Sequence, residues 1–370
     1  MGNQSLLDVM KGNTPDEESR TVVIPFNNSV KKKEKNVIYY KFPVIGKDLH
    51  PILFDLISHK TPHGFESELH HIFLKLAKDN DWESTVDALK NLIIIVPGDD
   101  KTMFSCHLDT VHSTRGTNKI VITTGPNKQD TGFLRALNED LTEYATLGGD
   151  DKAGAYVMYR MLEKKIPGHY YFHVGEEKGC VGSKSIAKLL PEHIKKFNRA
   201  IAFDRRETKD IITKQGGSDC CSKNFAKALA KELNKSILAP MAKFKPDPTG
   251  MYTDTYSYMH LIPECTNLSV GYYDNHGPSE KLDIYWLEHM FIPAVLAVNW
   301  SELPTEREAK EEKWGRSYRG YTTEEYGIYG NHFYYGHVPN SDDKDGMGNI
   351  KLEKVTEDTP YYDLPYVDFD

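Results

Sequence analysis

The sequence predicts an α/β fold, a three-layer α/β/α sandwich with a mixed, mostly parallel central sheet. The first observation behind this prediction is that strand-like and helix-like segments alternate along residues 37–303, the pattern of a sheet covered by helices on both faces. The second is that five loops beside these segments hold acidic residues or a histidine. In an open α/β sheet, functional groups gather just beyond the strand ends, so these loops predict one site at one edge of the sheet.

Hydrophobic periodicity places the individual elements. Short runs rich in apolar and β-branched residues predict strands at 92–96, 101–106, 119–124, 170–174, 199–203 and 266–270. Helical spacing of apolar residues predicts helices at 65–76, 151–163, 183–190, 221–233 and 284–299. The sequence Pro-Gly-Asp-Asp at 97–100 predicts a hairpin-like turn between the first two strands.

The two ends of the chain differ from its middle. Residues 1–36 are polar and carry a basic run at 31–35, which predicts a mobile N-terminal arm. Residues 304–370 hold nine of the 22 tyrosines and show no apolar periodicity. The last 30 residues contain nine acidic residues and three lysines, so most of the net charge of −8 lies there. We therefore predict an arm, one domain at 37–303 and a Tyr-rich acidic C-terminal tail.

Charge, hydropathy and cysteine content argue against several classes of protein. Because 46 basic residues stand against 54 acidic ones, the balance disfavours nucleic-acid binding. No apolar run approaches the roughly 18 residues that cross a bilayer, and the first residues lack the apolar core of a signal peptide. Five cysteines, an odd and sparse set, predict reduced thiols and a cytoplasmic protein.

The loops at the predicted sheet edge contain eight residues with chemically active side chains. They are His107, Asp109, Asp150, Asp151, Glu176, Glu177, Asp204 and His276. Each alone is a weak signal, since an Asp-Asp pair before a helix, for example, ordinarily caps it. Together they would place several negative charges at close range, which is costly unless cations neutralise them. Histidine and carboxylate ligands suit Zn²⁺, with Mn²⁺ and Co²⁺ as alternatives.

Four stretches of sequence carry a more specific resemblance. Residues 105–111, SCHLDTV, resemble the H-x-D-x-V element of the co-catalytic zinc exopeptidases. Residues 147–154, LGGDDKAG, are similar to the G-A-D-D-K-A-G of peptidase T-like enzymes. Residues 175–183, GEEKGCVGS, and residues 275–280, NHGPSE, resemble the E-E-x-G-x-x-G-S and H-[ST]-P-x-E elements. With Asp204, five elements occur in family order, and the chain is identified as a member of this superfamily.

The resemblance implies a pair of metal ions. Asp150 would bridge them, His107 and Asp204 would complete one metal site, and Glu177 and His276 would complete the other. Two such cations lie about 3.5–4 Å apart, lower the pKa of a water and stabilise the tetrahedral oxyanion. The residues alone leave open which carboxylate of the pair bridges, and family position favours the first.

The resemblance also assigns two residues beside the ligands. Asp109 would accept the second ring N–H of His107 and so fix its tautomer. Glu176 would be the general base that takes a proton from the water and passes it to the leaving amine. His70 and His71, which lie outside these motifs, are expected at the surface.

The chain departs from its relatives in three places. Only 48 residues separate Asp204 from Thr253, too few for the dimer-forming lid of peptidase T and the aminoacylases. Only 42 separate His107 from Asp150, too few for the β-domain of the oligomeric aminopeptidases, so a monomer is expected. Residues 253–256, Thr-Asp-Thr-Tyr, either shape the pocket or cap a turn. Gly-Met-Tyr precedes the Thr-Asp pair where peptidase T has Arg-Gly-Gly, so recognition of a peptide C-terminus by that route is not supported.

The resemblance implies a di-zinc metallohydrolase that cleaves an amide bond of short peptides, with an aminopeptidase as the favoured activity. A carboxypeptidase or an N-acyl amino acid deacylase would use the same metal centre. A non-catalytic binding protein on this fold is the alternative from another class. It predicts lost ligands, whereas all five ligand positions and Glu176 are present.

Overall fold

The computed structural model describes residues 50–124, 132–237 and 243–309, together with the backbone of a short strand at 353–354. The helices are α1 (Pro51–Ser58), α2 (His70–Asp79), α3 (Gly149–Glu163), α4 (Val181–Leu189), α5 (Pro191–Ile194), α6 (Lys223–Leu233), α7 (Ile284–Trp286) and α8 (Ile292–Leu296). Single 3₁₀ turns lie at Glu66–Leu69, Asp254–Tyr258 and Trp300–Glu302.

The strands are numbered in chain order. They are β1 (His59–Lys60), β2 (Glu83–Val86), β3 (Leu92–Val96), β4 (Thr102–His107), β5 (Gly116–Thr117), β6 (Lys119–Thr124), β7 (Gly132–Leu137), β8 (Tyr144–Ala145), β9 (Gly168–His173), β10 (Arg199–Arg205), β11 (Asp210–Ile212), β12 (Lys214–Gln215), β13 (Ser218–Asp219), β14 (Lys245–Asp247), β15 (Glu264–Ser269), β16 (Tyr272–Tyr273), β17 (Lys281–Asp283) and β18 (Glu353–Lys354).

Nine of these strands form the main sheet, in the order β14-β11-β15-β10-β4-β9-β3-β2-β18. Its centre, β15-β10-β4-β9, is parallel, and Phe104 of β4 lies between Ile201 and Tyr170 of the neighbouring strands. Strands β3, β2 and β18 continue antiparallel on one side, and β11 pairs antiparallel with β15 on the other. The carboxyl ends of the four central strands therefore meet at one edge, as the sequence predicts.

Helices cover both faces of this sheet, which confirms the predicted fold class. Helix α3 packs on β4 and β10 together with α1 and α2, while α4 and the 3₁₀ turn at Asp254–Tyr258 pack together on the sheet. Gly154 shows how closely α3 approaches β10, because a Cβ atom there would lie 1.9 Å from the carbonyl oxygen of Phe203. Any larger residue at this position would push the helix away from the strand that leads to Asp204.

The predicted hairpin between the strands at 92–96 and 101–106 is wrong. Strand β9 lies between β3 and β4 and pairs with both. Asp99 in the connection accepts hydrogen bonds from the backbone of Lys101 and the hydroxyl of Thr102, so it supports the start of β4. The turn composition at 97–100 indicates a change of chain direction. It does not identify the partner of β3 or β4, because both strands pair with β9, which comes later in the chain.

The helix predicted at 284–299 is interrupted. A π turn at Leu287–Phe291 separates α7 from α8, and Pro293 occupies the first turn of α8. Proline has no N–H to donate to the preceding turn, so the regular hydrogen-bond ladder cannot run through this position.

A second, smaller sheet was not predicted as such. Its strands follow the order β16-β17-β7-β6, with β8 paired to β7. Three of the described strands between His107 and Asp150, β6, β7 and β8, belong to this sheet. Strands β16 and β17 contact α3, so the loop between them lies beside the first turn of that helix.

Few described residues fall in the predicted arm and tail, because 1–49 and most of 310–370 lie outside the described residues. The beginning of the tail packs on the domain. Arg307 donates through Nη2 to the carbonyl oxygens of Met259 and Ile262, at 2.7 and 2.8 Å.

The five cysteines are buried and unpaired. In the described part of the chain, no helix is long and apolar enough to cross a membrane.

Candidate active site

The predicted site residues converge at the carboxyl edge of the four central strands. His107 ends β4, Asp204 lies at the end of β10, and Glu176 and Glu177 follow β9. Asp150 and Asp151 lie in the first turn of α3, and His276 in the loop between β16 and β17. Parallel strands explain this convergence, since their carboxyl ends share one edge whatever the distance between them in sequence.

Asp150 occupies the centre of the cluster. Its Oδ1 lies 3.1 Å from Nε2 of His107, and its Oδ2 lies 3.1 Å from Nε2 of His276. The side-chain amide of Asn275 donates to the same Oδ2 at 2.5 Å. Each oxygen of this one carboxylate therefore faces a different histidine, the arrangement expected of a bridging ligand.

Two groups of potential ligands share Asp150. In the first, Oδ1 of Asp204 lies 3.7 Å from Nε2 of His107. In the second, Oε1 of Glu177 lies 2.9 Å from Nε2 of His276. Within each group the ligand atoms lie within 4.8 Å of one another, close enough to hold a metal ion.

Asp151, the alternative left open by the residues alone, faces elsewhere. Its Oδ1 accepts the backbone N–H of Gly154 at 3.0 Å, and its Oδ2 lies 3.4 Å from the backbone nitrogen of His107. The side chain is fully buried, and burial raises the pKa of Asp151 well above its ordinary value. The geometry therefore favours Asp150 as the shared ligand.

Asp109 contacts both His107 and the loop after β9. Its Oδ1 lies 3.4 Å from Nδ1 of His107, while its own backbone carbonyl lies 3.0 Å from the same nitrogen. The carboxylate also accepts the backbone N–H groups of Glu176 and Glu177, each at 3.0 Å. Burial opposes ionisation, but the contacts to His107 and to these N–H groups outweigh it and lower the pKa of Asp109.

Glu176 lies beside the ligand groups, and its carboxylate makes no short contact with the histidines. Its Oε2 is 3.9 Å from Nε2 of His107. Burial and the surrounding carboxylates raise the pKa of Glu176 well above its ordinary value. A carboxylate with a raised pKa that lines an open cleft is suited to accept a proton and release it again.

The charges of the site call for cations. Burial opposes the protonation of His107, yet the carboxylates of Asp109, Asp150 and Asp204 outweigh it and raise its pKa well above 6.5. Hydrogen bonds to Asp150 and Glu177 raise the pKa of His276 to about 10. The positive charge of the two protonated imidazoles offsets the negative charge of the carboxylates around them. In a metal centre, divalent cations supply that positive charge.

Sequence reasoning missed the role of Glu280. This residue is 1% exposed, and its Oε2 accepts the backbone N–H groups of Leu147 and Gly148, at 3.0 and 2.8 Å. Its Oε1 accepts the N–H of Asp150 at 3.0 Å. Glu280 therefore holds the loop that presents Asp150. Its position at the end of the fifth motif was the available signal.

Two further side chains orient Asp204. The hydroxyl of Thr253 donates to its Oδ2 at 2.5 Å, and the hydroxyl of Tyr272 donates to its Oδ1 at 3.1 Å. Thr253 belongs to the segment at 253–256 for which the sequence left two roles open, and the structure places it in the site. Nothing in the sequence distinguished Tyr272 from the other tyrosines.

An open cleft of about 380 Å³ leads to the cluster. Acidic residues line it, with Asp150, Glu176 and Asp204, and so do Arg205, Arg206 and Tyr252. The cleft therefore carries both negative and positive side chains.

Comparison with solved structures finds the same fold in an aminopeptidase. No family model and no curated protein matches the sequence. Among solved structures, aminopeptidase PepT from Bacillus cereus ATCC 10987 matches with a TM-score of 0.53 and 18% identity, covering 66% of this chain and 95% of that chain.

Two other structures are less similar. A tripeptidase from Staphylococcus aureus has a TM-score of 0.49 at 16% identity, covering 66% and 95% of the two chains. The dodecamer PhTET1-12s has a TM-score of 0.48 at 17% identity, covering 67% and 98%. At 18% identity the likeness to PepT concerns the fold, and it confirms the fold that the motifs predict. The expected monomer stays a prediction.

Proposed function

We propose that this chain is a metal-dependent aminopeptidase that hydrolyses short peptides with two Zn²⁺ ions. One observation carries the proposal: Asp150 lies between His107 and His276 with Glu176 beside them, and Asp150, Glu176 and His276 line an open cleft. The shared fold with PepT, an aminopeptidase, supports the same activity.

The residues present fit a pair of metal ions. His107, Asp150 and Asp204 would hold one ion, and Asp150, Glu177 and His276 the other. Oε1 of Glu177 is buried and, apart from the imidazole of His276 at 2.9 Å, has no hydrogen-bond partner among the described residues, as expected of an oxygen that a cation would hold. Imidazole and carboxylate donors suit Zn²⁺, and Mn²⁺ or Co²⁺ accept the same set. Such ions, when bound, lower the pKa of a water and stabilise negative charge on the substrate carbonyl oxygen.

The chain's own residues would carry the proton. Glu176 takes it from the attacking water, and its raised pKa favours holding it until the amide nitrogen leaves. Asp109 keeps the backbone of Glu176 and Glu177 in place, so that one carboxylate faces the water while its neighbour faces the ligand group. Asp204 is oriented by Thr253 and Tyr272.

Metal content and substrate preference test this proposal together. The purified chain, reconstituted with zinc, is expected to bind two equivalents and to release Leu, the first residue, from Leu-Ala-Ala. N-acetyl-Leu-Ala-Ala should be a poor substrate, because an aminopeptidase requires a free amine. Less than one equivalent of metal would contradict the co-catalytic centre. Preference for the N-acetylated peptide would identify a deacylase, and release from the C-terminus a carboxypeptidase.

A further inference from the structure

The lining of the cleft includes two adjacent arginines that differ in their surroundings. Arg205 is engaged, because its Nε donates to Oδ2 of Asp210 at 3.2 Å and its Nη2 to the hydroxyl of Thr249 at 3.0 Å. Its side chain is only 13% exposed. Arg206 has a side chain that is 55% exposed. Among the described residues, its ionic contact is to Glu207, whose Oε1 lies 3.9 Å from Nε, beyond hydrogen-bond distance.

The backbone that presents Arg206 is held on both sides. The carbonyl oxygen of Arg206 accepts the hydroxyl of Ser269 at 2.7 Å, and that of Arg205 accepts the N–H of Val270 at 2.8 Å. The N–H of Glu207 donates to the carbonyl of Tyr272 at 2.7 Å. A guanidinium on an anchored backbone at the wall of a cleft is pre-organised for a ligand, since little chain entropy is lost on binding.

Arg206 and the candidate metal site share one cleft. Arg206 follows Asp204 by two residues, and both line the cleft together with Asp150 and Glu176. A peptide bound with its cleaved bond at Asp150 and Asp204 would therefore have Arg206 in the same cleft, where the guanidinium matches a carboxylate of that peptide.

Resting on the proposed aminopeptidase function, we propose that Arg206 determines specificity by binding a carboxylate of the peptide substrate. This group is either the C-terminal carboxylate of a di- or tripeptide or an acidic side chain near the cleaved bond. Arginine pairs with a carboxylate through two parallel N–H groups, which gives both affinity and orientation. The chain thereby recognises a carboxylate although it lacks the arginine that precedes the Thr-Asp pair in peptidase T.

Paired substrates separate the two sources of the carboxylate. Ala-Ala-Ala is compared with its C-terminal amide, and Glu-Ala-amide with Gln-Ala-amide, on the zinc-loaded full chain and on Arg206→Gln. Removing the guanidinium should raise KM at least about tenfold for the member that bears the recognised carboxylate, with little change in kcat. KM for the other peptide of the pair, which lacks that carboxylate, should be unaffected. KM for Arg206→Lys, which keeps the positive charge but lacks the two parallel N–H groups of arginine, should lie between the values for the wild-type chain and Arg206→Gln.

Arg115→Gln is the matched control, since it removes an exposed guanidinium that does not line the cleft. Calorimetric titration of the same peptides into the metal-free chain and its Arg206→Gln variant reports binding without turnover. If no peptide were hydrolysed but the chain still bound the carboxylate-bearing peptides more tightly than their uncharged partners, the proposed aminopeptidase function would be refuted. The role of Arg206 in binding a carboxylate would then stand. Equal effects of Arg206→Gln on both members of each pair, in KM and in binding, would overturn the role of Arg206.

Discussion

The carboxylate of Asp109 accepts the backbone N–H of Glu176 at 3.0 Å, and its second oxygen accepts the N–H of Glu177 at the same distance. One buried side chain therefore sets the position of both the proposed base and a proposed ligand. It also contacts the ring of His107. This relationship links two of the five motifs through a single residue.

Asp109→Asn should impair metal binding and catalysis together. The amide group retains one acceptor oxygen and turns an NH₂ group toward a backbone N–H, so one of the two loop contacts is lost. We expect a loss of about 10- to 100-fold in zinc affinity or in kcat/KM. Zinc titration and peptide hydrolysis measure the two effects. The exposed Asp140→Asn serves as control, and wild-type values for Asp109→Asn would show that the loop is held without this carboxylate.

Glu176→Gln should separate metal binding from turnover. The change removes the proton acceptor and leaves every proposed ligand in place, so we expect about 10²- to 10⁴-fold lower kcat with two equivalents of zinc retained. Atomic emission analysis reports the zinc, and hydrolysis of Ala-Ala-Ala reports the rate. A kcat close to that of the exposed control Glu192→Gln would remove Glu176 as the general base.

Asp150→Asn and Asp151→Asn should differ in metal content. Asp150 faces both histidines, whereas Asp151 contacts the backbone of Gly154 and His107. The first substitution is therefore expected to lower bound zinc to less than one equivalent, while the second leaves about two. Asp204→Asn should lose one ion. If Asp151→Asn lost both ions and Asp150→Asn kept them, the assignment of the bridge would be reversed.

Glu280→Gln tests how Asp150 is positioned. The wild-type carboxylate satisfies three buried N–H groups, and the amide replaces one acceptor oxygen by a donor. Each unsatisfied buried group costs about 1–3 kcal/mol, so the free energy of unfolding should fall by that order and zinc affinity with it. Denaturant unfolding of the metal-free chain isolates the first effect. An unchanged midpoint for Glu280→Gln would mean that the loop rearranges to satisfy its own backbone.

His70 should make stability depend on pH. The sequence placed it at the surface, which is wrong: it is 3% exposed, and burial lowers its pKa to about 3. Between pH 6.5 and about 3 the unfolded chain binds a proton that the folded chain excludes. Stability is therefore fully present above pH 6.5 and falls as the pH drops, by up to about 1.4 kcal/mol per pH unit.

The His70→Leu variant isolates this contribution. Its free energy of unfolding, measured by denaturant titration at several pH values, should fall less steeply than that of the wild-type chain below pH 6.5. The exposed neighbour His71 provides the matched control, His71→Leu. Identical slopes for His70→Leu and the wild-type chain would contradict the prediction.

The sequence could indicate that His107, Glu177 and Asp204 lie close together, because each lies at or just beyond the end of a strand in the parallel centre of the main sheet. Asp150, in the first turn of α3, and His276, in the loop between β16 and β17, reach the same place from other elements. The choice between Asp150 and Asp151 needed coordinates, because neighbouring residues at a helix start point in different directions. The same holds for Glu280, whose partners lie more than 120 residues earlier.

The order of strands and the burial of single residues could not be predicted in the same way. Strand β9 inserts between β3 and β4 through pairings that leave no local pattern. Strand β7 pairs with β6, β8 and β17, and its short mixed sequence gives no clear alternation. His70 and His71 are identical side chains one residue apart, and only the packing of α2 decides which one is buried.

The proposed ligands extend along the chain from residue 107 to residue 276, and each comes from a different segment of the fold. During synthesis, a growing chain shorter than His276 holds an incomplete set of donors. The complete centre is therefore assembled only after most of the domain has left the ribosome. The proposed activity would therefore appear late in synthesis, after the segment that carries His276 has been made.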